Sequence, residues 1–182
     1  MDEIETEHLR LRRFTPDDLE VFCSILSDPD VMRYLGVEAG KPPSRAESEA
    51  LLYNAIDSWT THGFSRLAIV DKSLMKVIGL CGWRRFEGTP ELIYILTIEY
   101  WGMGLATEAA KACLRYGFEQ LQFDRIIAFT RIENRASLRV LQKIGMTYEG
   151  VVSHTGVEVA GYAITKENFS PDDSTYILHR GS

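Results

Sequence analysis

The sequence has few cysteines and no long apolar run, and both absences limit the kind of protein it encodes. Its three cysteines are odd in number and far apart, which excludes a disulfide framework and a zinc-ligand pair and favours a reducing compartment. The four histidines are equally scattered, so the sequence predicts no metal site. Neither a stretch of 18 apolar residues nor an apolar N-terminal segment occurs. We therefore expect no transmembrane helix and no signal peptide, with the cytoplasm as the location.

The sequence also lacks an excess of basic residues. Its net charge of -6 and isoelectric point near 5.3 argue against general nucleic-acid binding, which needs a basic face. The acids are concentrated in residues 1–50, which hold 12 acidic and 6 basic residues; that net charge of -6 leaves residues 51–182 neutral overall. The 182 residues, of which 45% are hydrophobic, fit a single domain spanning residues 1–182 that folds without a metal or a disulfide.

Hydrophobic periodicity predicts mainly strands early in the chain and alternating helices and strands later. Seven strands are expected, at residues 9–14, 64–70, 77–83, 91–98, 125–130, 148–152 and 175–178. Four helices are expected, at residues 16–28, 44–62, 105–121 and 136–144. Three aromatic residues are expected in the core or in the wall of a cleft: Trp59, Trp83 and Tyr94. This order predicts a mixed α+β domain, and residues 153–173 carry no readable pattern.

The segment from Glu91 to Thr107 carries the strongest sign of a ligand. A buried strand is predicted to end at Ile98, a turn containing Gly102 and Gly104 follows, and a helix begins at once. The first amides of a helix have no internal partner and point outward with the positive end of the dipole, which suits a phosphate or pyrophosphate. A tight strand-to-helix turn would need the same glycines, so spacing alone leaves both interpretations open. A Walker loop is excluded because Gly-Lys-Ser/Thr is absent, and a dinucleotide fingerprint needs a third glycine where Thr107 stands.

Two motifs together resemble one family. Residues 101–109, Trp-Gly-Met-Gly-Leu-Ala-Thr-Glu-Ala, resemble the acyl-CoA pyrophosphate loop of the GNAT superfamily of N-acetyltransferases. The tryptophan is typical of the RimJ/RimL branch, which acetylates ribosomal-protein N-termini. Residues 134–137, Asn-Arg-Ala-Ser, begin a helix that ends in Ile-Gly-Met at residues 144–146, and they look like that branch's Asn-x-x-Ser helix. Residues 9–19 resemble its first strand and helix, so the likeness spans residues 9 to about 150.

The resemblance implies a GNAT-like fold, with a mostly antiparallel sheet of about seven strands and about four flanking helices. The sheet would be splayed between its fourth and fifth strands, residues 91–98 and 125–130. Acetyl-CoA would be the co-substrate, with its pantetheine arm in the splay, and an amide near Leu96 would stabilise the oxyanion. The residues that the resemblance assigns to cofactor binding are Leu96, Thr97, Ile98, Trp101, Gly102, Met103, Gly104, Leu105, Ala106, Thr107, Asn134 and Ser137. No metal is expected.

The same resemblance implies two catalytic residues. Glu91 would be the general base, as a glutamate is in some family members, although a solvated strand-end acid fits the position equally well. Glu87 and Glu99 are nearby alternatives. Ser137 would hydrogen-bond the departing CoA thiolate. Much of the superfamily uses a tyrosine at the position of Leu141 for this purpose, and leucine cannot donate a proton.

The acceptor is expected to be an amine, either a protein or peptide N-terminus or a small molecule such as a polyamine, an amino acid or an aminoglycoside. The acidic first 50 residues would flank it and favour a cationic acceptor, with Asp28, Asp30 and Glu38 as steering charges. The alternatives are a catalytically silent acyl-CoA-binding module or sensor and an unrelated phosphometabolite-binding domain. Neither nucleic acid nor a membrane is expected as a partner, and the chain is expected to be a monomer or a homodimer.

Overall fold

The computed structural model describes residues 2–35 and 40–181. Within these ranges the chain forms nine strands and five α-helices. In chain order they are β1 (Glu3–Glu5), β2 (Leu9–Arg13), α1 (Leu19–Ser27), α2 (Pro29–Met32), α3 (Arg45–Thr61), β3 (Arg66–Asp71), β4 (Lys76–Phe86), β5 (Thr89–Leu96), α4 (Leu105–Glu119), β6 (Arg125–Thr130), α5 (Arg135–Lys143), β7 (Thr147–His154), β8 (Val157–Thr165) and β9 (Ile177–His179). None of the helices in these ranges is long and apolar enough to cross a membrane.

All nine strands belong to one sheet, in the order β7-β8-β6-β5-β4-β3-β2-β1-β9. Each neighbouring pair is antiparallel except β5 and β6, which α4 connects as a parallel crossover. The parallel pair keeps a single register position, Glu91 opposite Ile127. The two central strands therefore separate along most of their length, and their separation opens a cleft in the middle of the sheet.

Helices cover both faces of the sheet, and β5 contributes side chains to both layers. Leu92 and Leu96 lie in the core formed with α4 and α5. Ile93 and Ile95 pack against the second core, which α1, α2 and α3 complete. Because successive side chains of a strand point to opposite faces, one strand supplies both sides of the cleft.

Side chains cap the starts of two helices. The hydroxyl of Ser44 accepts a hydrogen bond from the Glu47 amide (3.2 Å), and the Ser44 amide donates to the Glu47 carboxylate (2.7 Å), which starts α3. At the earlier helix the carboxylate of Asp18 accepts from the amide of Thr15 (2.8 Å) and from the guanidinium of Arg12. Both acids therefore serve helix initiation.

The structure confirms the predicted fold class, with a mostly antiparallel sheet that is splayed between the strands expected at residues 91–98 and 125–130. Its nine strands exceed the expected seven because β1 and β8 were not predicted. Strand β8 is buried at six consecutive residues and includes small side chains at Ala160, Gly161 and Ala163, so it shows no alternation. Strand β5 ends at Leu96 rather than at Ile98, because residues 98–100 turn into a single 3-10 turn.

Candidate active site

The cleft between β5 and β6 has a volume of about 660 Å³, which is ordinary for a small-molecule site. Its walls come from the separated strands, the first turn of α5, residues 41–43 and the hairpin that joins β7 to β8. We call the side formed by the end of β5, α4 and α5 the cofactor half. The side formed by the faces of β3, β4 and β5 toward α1, with the β7–β8 hairpin, is called the acceptor half.

The backbone of β5 presents hydrogen-bonding groups to the cofactor half. The amide of Thr97 donates to the carbonyl of Ile78 in β4 (2.9 Å). Because alternate residues of a strand direct their backbone groups to opposite neighbours, the groups of Tyr94 and Leu96 face β6, which has separated from them. Ile98 is different, since its carbonyl accepts the amide of Trp101 (3.0 Å) inside the 3-10 turn. The amide of Leu96 therefore faces the cleft, whereas the carbonyls of Leu96 and Ile98 both accept hydrogen bonds from Trp101.

The side chain of Trp101 ties the glycine loop to the end of β5. Its indole N–H donates to the carbonyl of Leu96 at 2.8 Å, although the ring itself is about half exposed. This bond holds the loop of residues 101–104 close to the strand edge that faces the cleft. A glutamine or arginine at position 101 would present a longer and more flexible donor, so the tryptophan makes this connection with fewer rotatable bonds.

The glycine loop has the geometry of an anion site. Gly102 and Gly104 have φ values of +77° and +81°, and Gly104 caps α4 without a side chain. A Cβ atom on either glycine would meet no atom within 4 Å, so the backbone conformation, rather than crowding, requires glycine there. The first helical hydrogen bond of α4 runs from the amide of Glu108 to the carbonyl of Gly104 (3.0 Å). The amides of residues 105–107 therefore remain available to a ligand.

Ser137 lies on the floor of the cleft, where the start of α5 meets β5. Asn134 caps the helix through its side-chain oxygen, which accepts the amide of Ser137 at 3.1 Å. The hydroxyl of Ser137 lies 2.7 Å from the hydroxyl of Tyr94. Burial raises the pKa of Tyr94 well above its ordinary value, so this phenol keeps its proton. Leu141, at the position where much of the superfamily has a tyrosine, is buried. The tyrosine hydroxyl beside Ser137 belongs to Tyr94 of β5.

Glu91 is buried on the floor of the acceptor half, at 2% exposure. Its carboxylate accepts two hydrogen bonds from the guanidinium of Arg84, from Nε at 2.7 Å and from Nη2 at 2.9 Å. The pair forms because the β4–β5 register places Arg84 directly opposite Glu91. Glu91 is therefore not the solvated strand-end acid that its sequence position also allowed.

His154 completes a cluster around Glu91. Its Nε2 atom lies 3.3 Å from an oxygen of Glu91 and 3.1 Å from Nη2 of Arg84. The imidazole is sandwiched by Phe86 and Phe129, with 4.5 Å between its ring centre and each of theirs. The sequence did not indicate His154 as a site residue, because it is 63 positions from Glu91 and ends a hairpin that was not predicted. A single histidine in residues 153–173, which show no recognisable pattern, does not indicate a functional site.

A second guanidinium lies beside this cluster. Arg66 is opposite Gly82 in the β3–β4 register, and Gly82 is two residues before Arg84 on the same face of β4. Both arginines line the cleft. Burial, and then the nearby charge of Arg84, lower the pKa of Arg66 to about 10, while Glu91 opposes this shift.

Several residues considered from the sequence do not face the cleft. Glu87 and Glu99 are exposed side chains outside its lining. Asp28 caps α2 by accepting the amide of Asp30 (2.9 Å), and Asp30 pairs with a neighbouring arginine. Glu38 lies outside the described residues. Across residues 2–35 and 40–181, no group of three or more histidine, cysteine, aspartate or glutamate side chains is arranged to hold a metal ion.

Comparison with known proteins identifies the family. The family description "Acetyltransferase (GNAT) domain" matches residues 8–147. An uncharacterized N-acetyltransferase of Bacillus licheniformis, p20, is 32% identical over 155 residues, which cover 84% of this chain and 86% of the relative. The spermidine N(1)-acetyltransferase of Escherichia coli (strain K12) is 36% identical over 148 residues, which cover 80% and 76%.

A solved structure agrees with these relatives. The crystal structure of a GNAT-family acetyltransferase from Bacillus anthracis aligns with a TM-score of 0.76 and 29% sequence identity, covering 91% of this chain and 99% of that one. The family match extends over more than half of the chain and includes both the glycine loop and the Asn134–Ser137 turn. The chain therefore belongs to the GNAT acetyltransferase family, and it is an N-acetyltransferase that transfers an acetyl group from acetyl-CoA to an amine.

Proposed function

We propose that the chain is a RimJ/RimL-like N-acetyltransferase in which the amine attacks acetyl-CoA directly. The observation that carries the proposal is the splay between β5 and β6: it opens a cleft lined by Ser137, and the glycine loop is held at the end of β5, one of its walls. The three cysteines all fall within the described residues, and none of them lines the cleft. A covalent acetyl-cysteine route therefore has no nucleophile in the cleft.

The cofactor half holds acetyl-CoA mainly through backbone groups. The amides of Met103, Leu105, Ala106 and Thr107 receive the pyrophosphate, because the helix dipole adds to their unshared hydrogen bonds. The amide of Leu96 donates to the thioester end of the pantetheine arm and stabilises the oxyanion of the tetrahedral intermediate. Three residues support these contacts. The backbone amide of Thr97 holds the strand end on β4, the indole of Trp101 holds the loop on β5, and the side chain of Asn134 orients the turn that carries Ser137.

Glu91 and His154 act as one proton-accepting pair. As the nitrogen–carbon bond forms near Leu96, the amine loses a proton. This proton passes through water in the cleft to the carboxylate and imidazole of the pair, since Glu91 lies five residues away along β5. The 3.3 Å separation lets a proton on His154 be stabilised by the adjoining carboxylate. Arg84 holds that carboxylate in place through two hydrogen bonds.

Ser137 serves the leaving group. When the carbon–sulfur bond breaks, the thiolate needs a hydrogen-bond donor, and the hydroxyl of Ser137 is the donor on the cleft floor. The hydroxyl of Tyr94 lies 2.7 Å from the hydroxyl of Ser137 and 3.2 Å from its carbonyl oxygen. When the phenol donates to the serine hydroxyl, the serine proton is free to point toward sulfur. The raised pKa of Tyr94 suits a residue that orients its neighbour while it stays protonated.

Calorimetric titration with acetyl-CoA, with ATP and NADH as controls, is the first test. We expect selective 1:1 binding of acetyl-CoA, followed by release of CoA thiol when a panel of amines is added. Binding without turnover on any amine would instead support the silent acyl-CoA-binding module. A folded protein that binds ATP or NADH as well as acetyl-CoA would contradict the proposed role of the glycine loop.

A further inference from the structure

Among the described residues that line the cleft, arginine and lysine side chains outnumber carboxylates. Two described carboxylates line the cleft, and both are engaged: Glu91 accepts two bonds from Arg84, and Glu47 accepts the amide of Ser44 in the helix cap. Arg66 lines the same cleft. Among residues 2–35 and 40–181, its guanidinium has no hydrogen-bond or ion-pair partner within reach. Within the described residues this cation therefore has no direct counter-ion, and the charge of Glu91 acts on it without a contact.

Because Arg66 is partly buried, the lack of a direct partner is unfavourable for the protein without a ligand. A charge removed from water is costly unless an opposite charge or hydrogen bonds replace the lost hydration. Arg66 lies beside a second guanidinium, and the depressed pKa of about 10 reports both the burial and this repulsion. The group still carries its proton at neutral pH, so the cleft presents a permanent positive charge. An anion bound there would remove both penalties.

We propose that Arg66, together with the unshared edge of Arg84, forms a carboxylate subsite in the acceptor half, and that the acceptor is an amine that also carries a carboxylate. This inference rests on the proposed function and names the substrate class of the same site. Arg84 uses Nε and Nη2 toward Glu91 and His154, which leaves Nη1 for a ligand. A planar guanidinium matches a carboxylate with two parallel hydrogen bonds.

The cofactor does not explain this charge. Its pyrophosphate site is at the glycine loop, beyond the end of β5, whereas Arg84 pairs with Glu91 near the start of that strand. Five residues of strand separate Glu91 from Leu96, a distance of about 17 Å. The proton-accepting pair lies directly against Arg84. An acceptor whose amine attacks the thioester near Leu96 extends along β5 toward Glu91, and a carboxylate at its far end comes within reach of the guanidiniums.

The same charges disfavour a polyamine. A polyamine brings two or more ammonium groups, and no described carboxylate on the cleft wall is left to receive the second one. Asp28 and Asp30, the steering charges expected from the sequence, face other partners. The inference therefore distinguishes this chain's substrate from the one in the name of its Escherichia coli relative.

The test compares acceptors that differ only in the carboxylate. Each amino acid is assayed beside its amide, together with peptides that have an acidic second residue and with spermidine. For the carboxylate acceptor we expect Arg66→Gln to lower kcat/KM by about 10- to 100-fold, as for loss of a charged hydrogen bond, and Arg66→Lys to lower it less. Both variants should lower turnover of the amide much less than turnover of the carboxylate acceptor, and the KM for acetyl-CoA should not change. Arg85→Gln is the matched control, because Arg85 is the neighbouring, exposed arginine of β4 outside the cleft lining.

A binding measurement makes the test independent of turnover. The CoA-saturated protein is titrated with N-acetyl amino acids and with their amides, which mimic the product with and without its charge. Tighter binding of the carboxylates, lost in Arg66→Gln, supports the subsite, and the turnover panel then separates free amino acids from acidic peptides. Equal binding of carboxylate and amide, or a preference for spermidine, overturns it. Calorimetry with acetyl-CoA on all the variants reports separately on the proposed function, so the two failures are distinguishable.

Discussion

The two halves of the cleft are built by different means. The cofactor half uses backbone groups of neighbouring residues, at the end of β5 and the start of α4, with a few side chains that hold the backbone in place. The acceptor half uses charged side chains from β3, β4, β5 and the β7–β8 hairpin, which meet only in the folded sheet. A backbone site tolerates many changes of side chain, whereas a side-chain site changes its ligand with one substitution. We infer that this difference lets the family keep one cofactor while its acceptors vary.

The comparison predicts that substitutions in the acceptor half act mainly on kcat. Replacing Glu91 with glutamine removes the negative charge that stabilises a proton on His154, while the side chain keeps its shape. We expect kcat to fall by about 10²- to 10⁴-fold, the usual contribution of a positioned base. The KM for acetyl-CoA should change little, because Glu91 is not in the cofactor half. Steady-state kinetics at saturating acetyl-CoA measures both parameters.

Two control variants decide whether the effect belongs to Glu91. Glu87→Gln and Glu99→Gln alter the other acids near the ends of β5, and both side chains are exposed. Each should keep nearly full activity. If either control lost as much activity as Glu91→Gln, the base would have to be reassigned to it.

Ser137 lies where the two halves meet, and its replacement should cost less. Ser137→Ala removes the donor to the departing thiolate but leaves the Asn134 cap, because that bond uses the amide of residue 137. We expect kcat to fall by on the order of 10²-fold, at the lower end for such proton-transfer groups. Tyr94→Phe should cost less still, since it only orients the serine. Ser153→Ala, at an exposed position of β7, is the control. A Tyr94→Phe loss larger than that of Ser137→Ala would make the tyrosine the donor.

The cofactor half is best tested through its backbone. Gly104→Ala places a side chain at a φ of +81°, which costs on the order of 1 kcal/mol in a left-handed conformation. The free loop can relax, whereas the bound loop must keep its shape, so we expect the KM for acetyl-CoA to rise about fivefold with kcat unchanged. Gly88→Ala is a matched control, since Gly88 has a φ of +86° in the β4–β5 turn and equally open surroundings. Equal KM values in the two variants would show that the loop's shape does not contribute to cofactor binding.

The same contrast explains what the sequence could predict. The glycine loop and the Asn134–Ser137 turn are short continuous segments, so residue type and spacing predicted a strand-to-helix turn and a helix start. The choice of an anion site at the turn depended on the family resemblance and stays a prediction. Strand ends were less accurate, because the 3-10 turn at residues 98–100 depends on the contact between Trp101 and Leu96.

The acceptor half could not be assembled from the sequence. Arg66, Arg84 and His154 are ordinary charged or polar residues until the sheet register and the β7–β8 hairpin bring them to Glu91. Strand β8, which carries one side of that hairpin, is buried on both faces and lacks the alternation on which strand prediction depends. The tyrosine partner of Ser137 was hidden for a related reason, since its place on β5 gave no sign of a contact 43 positions away.

The smallest expected effect is on stability and concerns Glu108, which holds the start of α4 in the cofactor half. Glu108, in the first turn of α4, accepts hydrogen bonds from the hydroxyl of Thr6 (2.6 Å), from the amide of His8 (2.8 Å) and from its Nδ1 (2.9 Å). These bonds join the turn between β1 and β2 to the helix that begins at the glycine loop. The hydrogen bond to Glu108, with its charge, raises the pKa of His8 above 6.5, an effect that Glu7 adds to and Lys72 opposes.

A raised pKa in the folded state means that the protonated imidazole stabilises the fold. This contribution is fully present below about pH 6.5, the ordinary value, and is lost as the pH rises through the raised pKa. We therefore expect His8→Gln to lower the melting temperature slightly at pH 6 and to leave it unchanged at pH 9. If the difference in melting temperature between wild type and His8→Gln stayed constant with pH, the contact with Glu108 would stabilise the fold through neutral hydrogen bonds. The cofactor half would then have no pH-dependent side chain at the start of α4.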